Sequence, residues 1–365
     1  MIIPNVFKGR RVFITGDTGF KGSWLATWLY LLGAEVTGYS LPPPEPDSHA
    51  EGLNLRERIR HIDGDICDRA ELFRALLDSQ PEFVFHLAAQ ALVLRSYQEP
   101  YETFQTNVIG SLNLLEAIRH LDSIHVLIYV TSDKCYRNSD GPSGHRETDP
   151  LGGVDPYSAS KACAELVFSA YQSSFFSGNG RLCAASVRAG NVIGGGDWAE
   201  NRIFPDCIRA LQSGQPLKLR NPHAIRPWQH VLEPLGGYLL LASRLFLAKH
   251  GGFSGAWNFG PDPESHLPVA NLVREVQRNW GANPLLQEEA HARPYEAPAL
   301  YLNCDKARAM LNWCPTWTFE ESVQHTTDWY KQYFYGADVW QLTTSQIGLF
   351  SDTLAKLRTQ ALASA

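Results

Sequence analysis

The chain has 365 residues, 44% of them hydrophobic, with 32 basic and 38 acidic side chains and a formal net charge of −6. That length suits one large domain plus a smaller one, and the charge balance gives no electrostatic case for nucleic acid or an anionic membrane as partner. No apolar run approaches the roughly 18 residues of a membrane-spanning helix. Residues Met1 to Arg11 lack the apolar stretch of a secretory signal. The seven cysteines are scattered, odd in number and without a C-x-x-C. Neither a disulfide framework nor a metal site is expected, and the expected compartment is the reducing cytoplasm.

In chain order, Arg11 to Thr15 (RVFIT) is a buried-strand run that leads into a glycine-rich turn. Ser23 to Leu32 reads as a helix stopped by Gly33, and Glu35 to Tyr39 as a second strand. Leu41 to Pro46 (LPPPEP) reads as a stiff surface loop. His61 to Ile66, Phe83 to Leu87 and Val126 to Val130 are further strands, with helices over Glu71 to Leu77 and Thr106 to Arg119. Apolar strands alternating with helices predict a Rossmann-type, doubly wound parallel sheet with right-handed crossovers, an α/β fold. After about residue 190 glycines and prolines become dense (Gly194 to Gly196, Pro205, Pro216, Pro222, Pro227) and the elements are short and mixed. The pattern predicts a cofactor domain over 1–190 and a smaller mixed α/β substrate domain, mainly 191–335. A strand near Gly255 to Asn258 should return to the first domain, and 336–365 should be a C-terminal tail.

The turn Thr15-Gly16-Asp17-Thr18-Gly19-Phe20-Lys21-Gly22 stands between a strand and a helix. Glycines there let the backbone approach a pyrophosphate, and the helix N-terminus offers N–H donors and partial positive charge. A plain tight turn also explains three glycines; strand, turn and helix in the required order favour the dinucleotide. An acid at the end of the second strand would hold the ribose diol of NAD, but the strand ends Gly38-Tyr39-Ser40. No arginine stands beside it to signal NADP either, so the residues alone leave NAD and NADP open. Asp65 and Ile66, after the third strand, are placed beside the adenine.

Tyr157-Ser158-Ala159-Ser160-Lys161 follows Asp155-Pro156, a good helix start. The i, i+4 spacing puts Tyr157 and Lys161 on one helical face. An ammonium beside a phenol is expected to lower the tyrosine pKa from about 10 toward neutrality, so that the phenolate takes a proton from a sugar hydroxyl. Thr131-Ser132-Asp133-Lys134 follows the apolar strand Val126 to Val130, where doubly wound sheets bind ligands. Thr131 or Ser132 supplies the hydroxyl beside Tyr157, with Asp133 and Lys134 next to the reacting sugar. Arg226 and Arg293 are candidate diphosphate clamps, because a guanidinium fork matches phosphate oxygens. Asn191 is a candidate for the diphosphate or the sugar. Trp228 and Tyr295 border the base or are core aromatics, and His86 packs within its strand.

Together these residues resemble the extended short-chain dehydrogenases, and among them the nucleotide-sugar 4,6-dehydratases, over about residues 8 to 330. The resemblance extends through His86-Leu87-Ala88-Ala89-Gln90, Thr106-Asn107-Val108-Ile109-Gly110, Arg188 to Gly194 and Arg226-Pro227-Trp228-Gln229-His230-Val231. It implies cofactor contacts at Gly16, Thr18, Gly19, Phe20, Lys21, Gly22, Asp65, Ile66, Leu87, Ala88, Ala89, Asn107, Tyr157 and Lys161. Substrate contacts are implied at Gln90, Ser132, Asn191, Arg202, Arg226, Arg293 and Tyr295. Where the dTDP-glucose members carry S-T-D-E-V-Y-G, this chain reads Thr131 to Arg137 (TSDKCYR). Ser132 then takes the place of the catalytic threonine, Asp133 that of the general acid, and Lys134 that of a glutamate base. The departure at Lys134 resembles the CDP-glucose branch, as do Asp133-Lys134-Cys135-Tyr136 and Gly194-Gly195-Gly196-Asp197-Trp198. The resemblance implies a retained NAD, CDP-glucose as substrate, deoxysugar-forming chemistry and a homodimer or homotetramer. Other readings in the same family are a 4,6-dehydratase for another nucleotide sugar and a C4 epimerase or reductase, which would need Tyr157 and Lys161 but not Asp133 and Lys134.

Overall fold

The computed structural model describes residues 5–43, 48–137, 144–177, 181–248, 252–282, 286–288 and 300–363. Seven strands form one sheet: β1 (Arg11–Thr15), β2 (Glu35–Ser40), β3 (Arg60–Asp63), β4 (Phe83–His86), β5 (Val126–Val130), β6 (Cys183–Ala189) and β7 (Gly255–Phe259). Their order is β7-β6-β5-β4-β1-β2-β3, and every pairing is parallel. Helices cover both faces of the sheet, so every residue of β4 and β6 is buried and most of β1, β2 and β5, whereas the edge strand β3 is partly exposed. The chain order reverses between β1 and β4, which opens a crevice at their carboxyl ends.

Four helices of the first half frame that crevice: α1 (Phe20–Leu31), α2 (Arg69–Ser79), α3 (Ser111–Ile118) and α4 (Pro156–Tyr171). α4 starts where the local chemistry sets it, with the Asp155 carboxylate accepting the Ser158 N–H at 2.9 Å and Pro156 in the first turn. Several boundaries differ from the expected ones, three of them near the site. α1 starts at Phe20, directly after the turn. β3 ends at Asp63, not Ile66, because Gly64 N–H bonds the Ser40 carbonyl and the Tyr39 hydroxyl donates to the Asp65 carbonyl, which closes a turn there. Residues Gln105–Gly110 make a π-helical turn ahead of α3. That wider turn carries Asn107, whose amide donates to the Gln90 carbonyl and to Ser160 Oγ.

After β6 the elements are short. Val192–Ile193 pairs with Gln229–His230, Ile225–Pro227 with His266–Pro268, and Leu217–Leu219 with Leu286–Glu288. Helices α5 (Ile203–Ser213) and α7 (Val269–Trp280) pack beside them, whereas α6 (Leu232–Ala248) lies against β5 and β6 of the large sheet. β7 lies parallel to β6, so the chain does return to the large sheet. α8 (Phe319–Phe334) is opened by a capping box between Thr318 and Glu321. In the segment expected as a tail, α9 (Val339–Ala363) runs over the core. Phe350 of α9 meets the edges of Trp28 at 5.7 Å and Trp317 at 5.0 Å between ring centroids.

Candidate active site

At the carboxyl ends of β1, β4, β5 and β6 lies a cavity of about 850 Å³, the size of a cofactor-and-substrate cleft. Its wall begins at the glycine turn. Gly16 has φ +79°, and a Cβ on it would stand 2.7 Å from the Ala88 nitrogen at the exit of β4. A Cβ on Gly22 would fall 1.9 Å from the Gly16 carbonyl oxygen. Both positions therefore admit only glycine, and the turn lies flat between the two strands. Gly19 starts α1 with no side chain capping it, so the first N–H groups of the helix are left for an anion. These features fit the pyrophosphate of a dinucleotide. Thr18 Oγ1 donates to the Leu41 carbonyl at 3.0 Å and meets Ser40 Oγ at 2.8 Å, tying the turn to the end of β2.

Gly16, Gly19, Phe20, Lys21, Gly22, Leu87 and Ala89 line the cavity, and Ala88 N–H donates to Thr15 Oγ1. Asp65 and Ile66 sit in the turn after β3. The Asp65 carboxylate accepts the Cys67 N–H at 2.8 Å, and Ile66 packs where a Cβ on Gly110 would meet it at 2.6 Å. Asn107 supports the site from behind through Gln90 and Ser160. Gln90, expected at the substrate, serves its own loop: its side chain bonds Leu92 through both ends, at 2.6 and 3.0 Å, and Thr103 at 3.0 Å. The short Gln90-to-Leu92 bend takes both N–H donors of the amide and one lone pair of its oxygen.

Ser132, Asp133, Lys134, Tyr157 and Lys161 come together on the wall of this cavity. The structure separates the two candidate hydroxyls. Thr131 Oγ1 donates to the buried Glu165 carboxylate at 2.5 Å, whereas Ser132 Oγ donates to Asp133 Oδ1 at 2.9 Å and interacts with the Tyr157 phenol. Ser132 is the hydroxyl in the site. Asp133 is 3% exposed. Its Oδ2 has no hydrogen-bond partner among the described residues, and a Cβ on Gly190 would lie 2.9 Å from it. Lys134 is half-buried.

The electrostatics correct one expectation. Burial pushes the Tyr157 phenol up to about 12, against the lowering effect of Ser132. Lys161 does not pull it down toward neutrality. Burial pushes Lys161 itself down to about 8, while Cys135 and Glu165 hold it up. One helical face brings the two side chains to the same cavity without making the ammonium the dominant charge on the phenol. Lys21 is also pushed down to about 8, first by burial and then by the neighbouring cations Arg202 and Lys161, with Asp133 opposing. The ammonium of Lys21 thus belongs to the catalytic end of the turn.

Asn191, Arg202, Arg226 and Trp228 also line the cavity, and Arg202 stands near Lys21 and Tyr157. Arg202 pairs with Asp197 at 2.9 Å, and the Trp228 indole donates to the Leu267 carbonyl at 2.9 Å. Arg293 and Tyr295 lie outside the described residues. Lys218, Arg220 and Asn221 line the same cavity and were missed. Their signal was present as alternating cations on the strand Leu217–Leu219 and just past it (LKLRN). His86 is buried between Thr15 Oγ1 and Ser111 Oγ, at 2.7 and 2.9 Å, and burial pushes it down to about 3, so it is a neutral packing residue as expected.

The profile of the NAD dependent epimerase/dehydratase family matches residues 12–255. CDP-glucose 4,6-dehydratase of Salmonella typhimurium is 46% identical over 345 residues, 93% of this chain and 95% of that protein. dTDP-glucose 4,6-dehydratase of Xanthomonas campestris is 28% identical over 87% of this chain and 92% of its own length. Among solved structures, Thermus thermophilus UDP-glucose 4-epimerase in complex with NAD superposes with a TM-score of 0.74 at 27% identity, covering 88% of this chain and 99% of that one. dTDP-glucose 4,6-dehydratase from Bacillus anthracis, in complex with NAD, has the same fold, with a TM-score of 0.75 at 19% identity, over 91% of this chain and 99% of that one.

Proposed function

This chain belongs to the NAD dependent epimerase/dehydratase family, and we propose that within it the chain converts CDP-glucose to CDP-4-keto-6-deoxyglucose and water. The observation that carries the reading is the meeting of Ser132, Asp133 and Lys134 with Tyr157 and Lys161 on one cavity wall. Oxidation at C4 alone needs only the last two. Elimination of water across C5 and C6 needs an acid and a base more, and the adjacent Asp133 and Lys134 supply them. The 46% identity to the Salmonella enzyme supports the CDP-linked sugar.

Bound NAD would supply the hydride acceptor for C4 and the hydride donor for C6, so that no net redox change remains. Tyr157 takes the proton of the C4 hydroxyl as the phenolate, a form that the positive charge of bound NAD would favour against burial, and the Ser132 hydroxyl orients the sugar. The 4-keto group acidifies the C5 hydrogen, and Lys134 takes that proton. Asp133 gives a proton to the C6 hydroxyl, which leaves as water; Lys134 returns its proton to C5, and the proton held by Tyr157 restores Asp133 through Ser132. Gly16, Gly19 and Gly22 would hold the dinucleotide pyrophosphate against the start of α1, and Lys161, on the wall of the same cavity, would face the dinucleotide. Arg226 and Arg202, with Asn191, Lys218 and Arg220, face the diphosphate and nucleotide of the sugar. The cofactor side is residues 1–190 and the sugar side mainly 191–335. The seven free cysteines suit a reducing cytoplasm. Tyr101, Phe104 and Ile109, with Leu166 of α4 and Phe175, leave apolar side chains in the open. That surface supports a homodimer, or a homotetramer built from it.

Incubation with CDP-, dTDP- and UDP-glucose in the presence of NAD tests the reading, with the 4-keto product followed by its absorbance in alkali. CDP-glucose should turn over fastest and yield a 6-deoxy product. Release of the C4 epimer with its C6 hydroxyl intact would instead make the chain an epimerase.

A further inference from the structure

Tyr157, Lys161 and Glu165 recur every four residues on α4 and so lie on one helical face. The first two enter the cavity, whereas Glu165 turns under it and is 2% exposed. Its carboxylate is saturated. Oε1 accepts from Thr131 Oγ1 at 2.5 Å and from Arg188 Nε at 2.8 Å. Oε2 accepts from Ser186 Oγ and from the second arm of Arg188, both at 2.8 Å. Thr131 directly precedes Ser132, and its N–H continues the β5–β6 pairing through the Val187 carbonyl at 2.9 Å. Arg188 passes on to the Tyr136 hydroxyl at 2.6 Å, which donates to Asn258 of β7 at 2.7 Å. One side chain of α4 therefore grips the ends of β5 and β6 and, through Arg188, reaches β7.

We propose that Glu165 is a positioning residue of this active site: its carboxylate sets the register of α4, with Tyr157 and Lys161, against the strand end that carries Ser132 and Asp133, and supplies the counter-charge of Lys161. The inference rests on the dehydratase reading for its kinetic arm only. A helix on a sheet slides by a fraction of an ångström at little cost unless something pins it, and a displacement of about 1 Å at reacting atoms costs on the order of 100-fold in rate. Thr131 and Arg188 pin it here. Glu165 stays ionised: burial raises its pKa, but the Arg188 fork outweighs that and leaves it below the usual carboxylate range. The groups around Lys161 are Glu165 one turn on, Cys135 at the end of β5, neutral His86 of β4 and the cation Lys21 of α1. Glu165 is the one carboxylate named among them.

Two variants separate positioning from mere stability. E165Q/R188M removes both charges together, keeps an amide for Thr131 and Ser186, and leaves no lone buried charge. With melting near the parent's, its kcat for CDP-glucose should still fall at least about 10-fold with KM within about 3-fold, because alignment acts on the chemical step. The pH above which NAD affinity weakens, followed by tryptophan fluorescence, should drop by about one unit as Lys161 loses its counter-charge. Full kcat and an unmoved NAD profile in this variant would overturn the proposal. Should the double variant not fold, Thr131→Val decides. It leaves the Arg188–Glu165 pair intact and should lower kcat about 10-fold with KM unchanged; an unchanged kcat overturns the proposal. The parent is assayed alongside. A parent without turnover removes the dehydratase reading, while the NAD profile, which needs no sugar, still judges Glu165.

Discussion

Tyr157→Phe deletes one oxygen from a side chain that is 7% exposed. The fold does not depend on that oxygen. The Tyr157 N–H is held by Ser96 Oγ at 3.1 Å, and α4 is capped by Asp155, neither through the phenol. The hydroxyl interacts with Ser132, whose own hydrogen goes to Asp133 Oδ1 at 2.9 Å. Losing a hydrogen bond of this kind costs about 1 kcal/mol, partly offset because the phenol already suffers from burial. Melting should therefore change by only a few degrees, at about 2–4 °C per kcal/mol for a large domain. Turnover is another matter. Without the phenol the C4 hydroxyl has no proton acceptor, since Thr131 is committed to Glu165 and Ser132 to Asp133. General acid–base catalysis contributes about 100- to 10,000-fold, or about 3 to 5 kcal/mol of barrier. The assay is formation of 4-keto sugar from CDP-glucose with NAD saturating, beside a melting curve on the same preparation. A variant that melts like the parent and turns over within about threefold of it would refute the assignment of Tyr157, and with it the arrangement around C4.

Lys134→Met should still form the 4-keto-glucose intermediate yet stall there, and it should lose exchange of the C5 hydrogen with deuterium from solvent; exchange at the parental rate would assign the base elsewhere. Gly22→Ala should abolish NAD binding, because its Cβ would stand 1.9 Å from the Gly16 carbonyl oxygen; a dissociation constant within about threefold of the parent's, by fluorescence titration, would contradict the turn's role. Lys161 is pushed down to about 8, so it is charged below that pH and neutral above it. If the ammonium is the active form, kcat/KM should fall as pH rises through about 8, and a profile flat to pH 9.5 would argue against it. β2 ends in Gly38-Tyr39-Ser40 with no acidic residue of its own there, and Ser40 is tied to Thr18, so NAD should be held loosely: protein purified without cofactor should gain activity on adding it, and arrival with a full complement of NAD would count against this.

What the sequence determined by itself is local. The glycine spacing, the Asp155-Pro156 start of α4 and the i, i+4 step from Tyr157 to Lys161 are set within a few residues of chain, where dihedral limits and helical periodicity act directly. The apolar runs of β1, β4 and β5 were equally legible, because strands buried on both faces have little polar option. Other features depended on partners far away in the chain. Thr131 and Ser132 are alike as residues; only Glu165, 34 positions on from Thr131, makes one structural and leaves the other in the cavity. Gln90 looked available for a sugar until Leu92 and Thr103 took both ends of its amide. The Tyr157 phenol was expected to be lowered by Lys161, yet burial, a property of the whole enclosure, pushes it the other way. α9 escaped notice because its apolar face is sparse and is completed by Trp28 of α1 and Trp317. Desolvation and long-range packing are sums over the folded surroundings, so the tertiary structure alone decided which hydroxyl, which amide and which charge the active site keeps.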